Sequence, residues 1–451
     1  MKSKRIRSAI VIPATTNLNR GDQALAWKAV ELAKSCGFES VAVFTDNLSA
    51  GGQKWSKGNK EAGDYKVISP LILLPRHGKF LEDRGFHDSL LNKLLLATRG
   101  IADSIMILWT LLTAPLPKLC MCLLGYSQRN TLKAILDSDV VFVKGGGFIH
   151  SYKGLRWTYY LLYQLFHIML ALRMGKRVVV LPNSYGPFHS PFSKKLVNLV
   201  FKRCTLVTAR EHVSARIMGD LLGKRISVFP DMAFGLKPAS KEWAKAELIS
   251  RGVPLEKGPC LGITVRPWRF PECTRPRQAF SQYLYSLEHL IKIAGQSGFY
   301  PVVFAHSLGP SRHEDDRTAI NELVKRLTGT KEISILDSAS YEAQDLMALY
   351  GEMAIMLATR FHSVIFSAVM GVPSIAIAYG GNKAIGIMSD MGISDYVVRI
   401  EDITPQNIER LFNKLLLNIE DVRRKINDYV FKSTRKLDML VELVRRNLDD
   451  F

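Results

Sequence analysis

The stretch Ile355–Lys383, IMLATRFHSVIFSAVMGVPSIAIAYGGNK, decides the fold. An apolar run ends at Thr359 and Arg360, an apolar helical segment starts at Ser363, and SIAIA repeats the strand signature before Tyr379 and two glycines. Strand, helix and strand of this kind form a βαβ unit, whose parallel strands are covered on both faces and read as continuous apolar runs. Outward from it the alternation continues, with strands predicted near Cys260–Val265, Tyr300–Phe304, Ile333–Leu336, Ala354–Ala358 and Ser374–Ala378. Upstream they fall near Arg7–Pro13, Ser40–Thr45, Asp139–Val143, Arg177–Pro182, Leu206–Thr208 and Arg225–Phe229. Helices over Gln23–Ser35, Leu155–Met174 and Pro191–Arg203 lie between them. The polar stretch Lys237–Lys257, with Pro238, Pro254 and Gly258, separates the two series. The expected class is α/β: two doubly wound Rossmann-like domains facing a cleft, over 1–236 and 259–403, with a linker at 237–258. The charged segment Thr404–Phe451 reads as a helix packing back across both halves.

The chain has 451 residues, 47% hydrophobic and 23% charged, a globular composition. Its net charge of +20 is uneven: residues 1–236 carry 33 basic and 15 acidic groups, residues 237–403 carry 18 of each, and residues 404–451 carry 10 and 8. Without basic runs or a reader motif this excludes a chromatin or RNA-coating protein. A basic half suits an anionic partner such as phospholipid, pyrophosphate or acidic glycan. Six cysteines, at 36, 120, 122, 204, 260 and 273, form neither a CxxC pair nor a zinc spacing. A reduced, cytoplasmic setting without a metal is expected. The start, MKSKRIRSAIVIPATT, resembles a signal peptide but lacks the small-residue cleavage signature, so it reads as a buried first strand.

Gly51–Arg129 is too long for a connection in such a fold and reads as an insertion in the first domain. Within it, Ser104–Pro117 holds fourteen residues without charge, short of the roughly 18 to 20 a spanning helix needs, and Pro115 and Pro117 interrupt it. Leu91, Leu95, Ala102, Ile105, Trp109 and Leu112 form a helical stripe. Two readings compete: a hairpin packed on its own domain, or an interfacial anchor at an anionic membrane face.

Polar residues cluster where strands end, which is where doubly wound folds bind ligands. After the first strand, NLNRGD sets Asn19 and Asp22 at a helix start, where Asp22 could equally be an N-cap. VVFVKGGGFIH brings Gly145, Gly146 and Gly147, flanked by Lys144, His150 and Tyr152; it matches neither GxGxxG nor a Walker loop. Further strand ends carry Ser184, Arg210 with Glu211, and Asp231. In the second half Arg266, His306, Arg360, His362 and Ser363 occupy such positions, with Lys383 following. A buried arginine there either bonds a protein carboxylate or awaits an anionic ligand.

In their order, NRGDQAL, VKGGGFIH, SYGPF, TAREHVS, FPDMAF, GITVR and TRFHSVIFSAVMGVPSIAIAY with the following Lys383 resemble the polysaccharide pyruvyl transferase family over roughly residues 8–400. The resemblance implies a GT-B-like architecture and transfer of the enolpyruvyl unit of phosphoenolpyruvate to two sugar hydroxyls, giving a pyruvate ketal and phosphate. Arg266, Arg360, Ser363 and Lys383 would then bind the donor. His362 would protonate the methylene and Asp22, or else Glu211 or Asp231, would act as base. Asn19, Gly146, Gly147, His150, Ser184, Arg210, Glu211 and Asp231 would face the acceptor, a glycan or lipid-linked oligosaccharide, and no cofactor beyond phosphoenolpyruvate is called for. Two rivals share the architecture: a glycosyltransferase using a nucleotide sugar, and a non-catalytic glycan-binding member.

Overall fold

The computed structural model describes residues 7–45, 65–72, 90–309, 311–327, 333–381 and 383–449. The parts of the expected insertion at 51–64 and 73–89 lie outside the described residues. Strands β1 (Ser8–Thr15), β2 (Ser40–Thr45), β3 (Lys66–Ile68), β4 (Val140–Val143), β5 (Gly146–Ser151), β6 (Arg177–Phe188), β7 (Leu206–Ala209) and β8 (Ser227–Val228) form the first sheet. Strands β9 (Cys260–Thr264), β10 (Tyr300–Phe304), β11 (Ser334–Leu336), β12 (Ile355–Ala358), β13 (Ser374–Ala378) and β14 (Val397–Arg399) form the second. The orders are β3-β2-β1-β4-β6-β7-β8, with β5 beside β6, and β11-β10-β9-β12-β13-β14; every pairing described is parallel.

Both orders reverse direction once, between β1 and β4 in the first sheet and between β9 and β12 in the second. At such a switch point the two helices depart to opposite faces and leave a crevice at the strand ends. The chain leaving β1 reaches Asn19 and Asp22, and that leaving β4 reaches Lys144; β9 and β12 deliver Arg266 and Arg360.

One apolar cluster runs continuously from one face of the first sheet into the second domain, including Trp27, Phe142, Phe304, Tyr350 and Phe412. A second covers the opposite face of the first sheet, with Phe44, Ile107, Phe166 and Phe201. The insertion contributes to this second cluster through a helix at Leu90–Thr113, a short one at Pro117–Met121 and a third at Tyr126–Asp137. The first of these is longer than its fourteen uncharged residues implied: it starts before Arg99 and stops ahead of Pro115. Leu94–Thr113 is therefore long and apolar enough to cross a membrane by length and composition.

Past β14 the chain forms two helices, Pro405–Leu417 and Ile419–Asp449. Thr404 caps the first by accepting from Asn407 N while Asn407 returns the bond, a reciprocal capping box. The second, 31 residues long, buries Val422 and Ile426 and then Leu440, Val444 and Leu448. It ends on the first domain, where Arg177 Nη1 donates to Leu448 O at 2.8 Å and Arg445 Nε donates to Ser35 O at 3.1 Å. Leu440 is fully buried, so Leu440→Ala should cost about 2–5 kcal/mol through lost transfer energy and the cavity left behind. Urea denaturation followed by far-UV circular dichroism checks this; a single unchanged transition would mean the helix is not part of the cooperative unit.

Candidate active site

The helix Arg20–Ser35 begins at the first switch point, and its cap is Asn19 rather than Asp22. Asn19 Oδ1 accepts from Gly21 N at 3.1 Å and Asp22 N at 3.4 Å, so the Asp22 carboxylate is spared that task. Lys144, buried at the end of β4, donates to Asp22 Oδ1 at 2.7 Å. Burial pushes the Asp22 pKa up, but the charge and hydrogen bond of Lys144 outweigh it and hold the carboxyl below its ordinary value.

Across the cleft, the helix Phe361–Val369 begins after Arg360, and His362 lies in its first turn. Gly21 passes so close that a Cβ there would lie 2.1 Å from His362 Nδ1. His362 Nε2 is 3.9 Å from Asp231 Oδ2 and is buried without a hydrogen-bond partner. Burial is the main influence on this imidazole and lowers its pKa to about 4, against the pull of Asp231. His362 is thus neutral at pH 7 in this structure.

Asp231 is fully buried; its Oδ1 accepts from Ala233 N at 2.9 Å and its Oδ2 from Arg210 Nη1 at 2.6 Å. Arg210 Nε donates to Ser184 Oγ at 2.7 Å, and that hydroxyl donates to Glu211 Oε2 at 2.8 Å. The guanidinium also stacks over Phe361, 4.4 Å from the ring centroid, which ties the first domain to the His362 helix. Arg210 Nη2 remains buried without a partner.

The two arginines at the second switch point differ. Arg360 is neutralised inside the protein: its Nε donates to Asp316 Oδ1 at 2.9 Å and its Nη2 to Glu314 O at 2.8 Å. Asp316 also accepts from His306 N and Ser307 N, at 3.0 and 2.9 Å, and holds the Arg360 pKa above its ordinary value despite burial. Arg266 has no such carboxylate. Its guanidinium lies 4.0 Å from the Tyr379 ring centroid and 4.9 Å from that of Trp268, and its Nε is buried without a hydrogen-bond partner. Burial, with the nearby Arg360 charge, lowers its pKa. Ser363 does not offer its hydroxyl to the cleft: it is fully buried, bonded to Thr264 Oγ1 at 2.9 Å and to Arg360 O at 2.5 Å. It braces the turn that carries Arg360 and His362.

Lys383 joins the two halves, donating from Nζ to Gly147 O at 2.6 Å. A Cβ on Gly147 would lie 2.1 Å from Lys383 Cε, so a larger residue there would displace the end of the lysine from this position. Burial pushes the ammonium down to about 7, helped by Arg210 and Arg266 and opposed by Glu211 and Asp22. Gly146 sits beside it with φ +154°, a conformation that side chains disfavour, opposite Asn183 of β6. His150, lowered to about 4 chiefly by burial, belongs to an aromatic group, its ring centroid 5.3 Å from Tyr152 and 5.6 Å from both Trp157 and Tyr160. Trp157 and Tyr160, three residues apart at the start of the helix Leu155–Arg173, were not singled out from the sequence; their one-face spacing was the available signal. Trp268, Tyr379 and Asp316 were likewise missed, because only folding places them on the arginines.

Residues 19–381 match the family model described as polysaccharide pyruvyl transferase. The chain belongs to the polysaccharide pyruvyl transferase family. It is 24% identical over 304 residues to the amylovoran biosynthesis protein AmsJ of Erwinia amylovora, a match covering 67% of this chain and 71% of AmsJ. In fold it is a GT-B protein. Anabaena HepE, solved in complex with UDP and glucose, superposes with a TM-score of 0.53 at 10% identity, over 99% of this chain and 100% of that one. The α,α-trehalose-phosphate synthase (UDP-forming) of Burkholderia vietnamiensis gives 0.52 at 14% identity, over 98% and 97%.

The unequal treatment of the arginines is testable. Asp316→Ala strands a buried Arg360 charge and should cost about 3–5 kcal/mol. Arg266→Ala should leave stability within about 1 kcal/mol, since no buried carboxylate depends on it. Guanidinium denaturation of both variants checks the contrast; equal losses would contradict it.

Proposed function

We propose that this member transfers pyruvate from phosphoenolpyruvate to two hydroxyls of a sugar in an exopolysaccharide or its precursor, forming a pyruvate ketal. One observation carries the reading within the family. Buried nitrogens without hydrogen-bond partners stand just past strand ends in both domains: Arg210 Nη2 after β7, Arg266 Nε after β9, His306 Nε2 after β10 and His362 Nε2 after β12. Buried donors left unpaired are costly, and a ligand with phosphate and carboxylate groups would satisfy several at once.

In the proposed chemistry Arg266, Lys383 and Arg210 bind the anionic donor, and Arg360, fixed by Asp316, positions His362. The two anionic groups of the donor, added to Asp231, raise the His362 pKa from about 4 and charge the ring. His362 then gives its proton to the terminal methylene while the first sugar hydroxyl bonds to the central carbon and passes its proton to Asp22. The second hydroxyl bonds to the same carbon as the carbon–oxygen bond to phosphate breaks, and phosphate leaves with the electron pair and the second hydroxyl proton. Atoms and charge balance without a redox step. The aromatic group of His150, Tyr152, Trp157 and Tyr160 supplies flat apolar surface for the sugar ring.

Calorimetric titration with phosphoenolpyruvate, beside UDP-glucose, tests the donor. Phosphoenolpyruvate binding that weakens at least about 30-fold, about 2 kcal/mol, in Arg266→Ala is expected for a lost charge-assisted contact. Binding of UDP-glucose alone would overturn the reading in favour of a nucleotide-sugar transferase.

Lys383 adds a pH signature. Its pKa of about 7 lies below the ordinary lysine value, so at pH 8 most of it is neutral, and an anion bound beside it raises the pKa. Phosphoenolpyruvate binding at pH 8 should therefore take up protons, and affinity should fall as pH rises through 7. Enthalpies in buffers of different ionisation heat report the uptake, and Lys383→Met should remove the lysine's share of it, leaving only the proton taken up by His362.

A further inference from the structure

We propose that the outer face of the insertion docks on an anionic phospholipid bilayer. Of the twenty exposed large hydrophobic side chains among the described residues, eleven lie between Leu91 and Tyr126. They continue along the whole helix Leu90–Thr113, roughly 36 Å at 1.5 Å per residue, and on past its end to Leu123. Ile101, Ile105, Leu108 and Leu112 repeat at three- and four-residue steps, with Leu94 two turns before them and Ile105 and Leu112 each 65% exposed.

Among the described side chains of this helix, the charged ones point the wrong way for an ordinary surface helix. Arg99 and Asp103 pair with one another at 3.8 Å on the partly covered side, and Tyr159 Oη donates to Asp103 at 3.4 Å. A water-facing helix turns such residues outward and its leucines inward. Here the leucines face out, an arrangement that a hydrocarbon surface stabilises and water does not.

Although long enough to span, the helix lies along the protein instead. Gly100 rests on the Tyr159 ring of the helix Leu155–Arg173, Arg173 Nε donates to Leu111 O at 3.1 Å, and Ile107 and Cys120 enter the core behind the sheet. A helix fixed lengthwise to a folded domain enters the interface in plane.

The charge around the face selects the lipid. No acidic residue occurs from Ser104 to Leu136, and from Ser104 to Arg210 there are 14 basic residues against two acidic ones. Lys118 and Arg129 are exposed on the insertion itself and Lys133 on the helix Tyr126–Asp137 just past its end. Arg129 Nε meanwhile donates to Met121 O at 3.1 Å and Leu124 O at 2.8 Å, which holds that end of the surface in place. An apolar face edged by basic groups matches acyl chains beneath anionic headgroups. This surface is independent of the donor reading, and its assay requires no turnover.

The test is co-sedimentation of the full chain with phosphatidylcholine vesicles containing 30% phosphatidylglycerol, beside pure phosphatidylcholine vesicles. The expected result is pelleting with the anionic vesicles, at least tenfold weaker for Ile105→Glu/Leu112→Glu with an unchanged melting temperature. Lys118→Glu/Lys133→Glu, which leaves the apolar face intact, should weaken anionic binding and its salt dependence. The proposal is overturned if the wild-type chain stays in the supernatant, or if it pellets equally with both vesicle types. It is overturned too if light scattering shows a dimer that Ile105→Glu/Leu112→Glu dissociates while vesicle binding is unchanged, since a second copy would then cover the face.

Discussion

The bare backbone at Gly21 sets how closely the two domains meet. Because no side chain stands there, the first turn of the helix Arg20–Ser35 comes up against the His362 ring, and any Cβ would force the two apart. Around that contact Arg20 N donates to His306 O at 3.2 Å, Leu308 N donates to Leu18 O at 2.8 Å, and Asn19 bridges to Ser307. The guanidinium of Arg20 crosses to Ala339 O at 2.9 Å, so one short segment of the first domain is bonded along the rim of the second. His362 beside Asp231, Lys383 on Gly147 and Arg210 over Phe361 all need this closed spacing.

Within the closed cleft, charge is divided between structure and ligand. Asp316 with Arg360 and Asp231 with Arg210 are buried pairs whose carboxylates are further bonded by backbone amides, the condition under which a buried ion pair is sustained. Arg266 is covered by aromatic rings instead, which shield its faces from water but leave its edge donors to a ligand. Lys383 lies between these cases. Buried, held by a single carbonyl and with Arg210 and Arg266 nearby, it keeps its proton weakly, and an incoming anion would have the largest effect there.

Most strands were legible because a strand buried on both faces must be an apolar run, as VVFV, CLGIT, IMLA and SIAIA are. β5 was not, since Gly146 and Gly147 read as a loop and its pairing with β6 depends on a neighbour distant in sequence. β3 and β14, three residues each at sheet edges, are too short to leave a pattern. The polar strand ends were visible as candidates for the site, but not their division of labour. Nothing local to Arg266 and Arg360 distinguishes them; the carboxylate that neutralises one of them arrives from residue 316.

The sequence by itself determined the alternation of strand and helix, the two-domain order, the basic first half and the set of polar residues at strand ends. These follow from local periodicity and composition, which each segment carries on its own. Only the tertiary structure decided which of those residues face one another, which arginine is already paired and which side of the helix Leu90–Thr113 is left to the outside. Those outcomes depend on contacts between segments hundreds of residues apart, and on packing that turns Arg99 and Asp103 toward the protein and the leucines away from it. An apolar stripe in sequence looks the same whether a core or a bilayer covers it; the difference lies in what the fold places against each face.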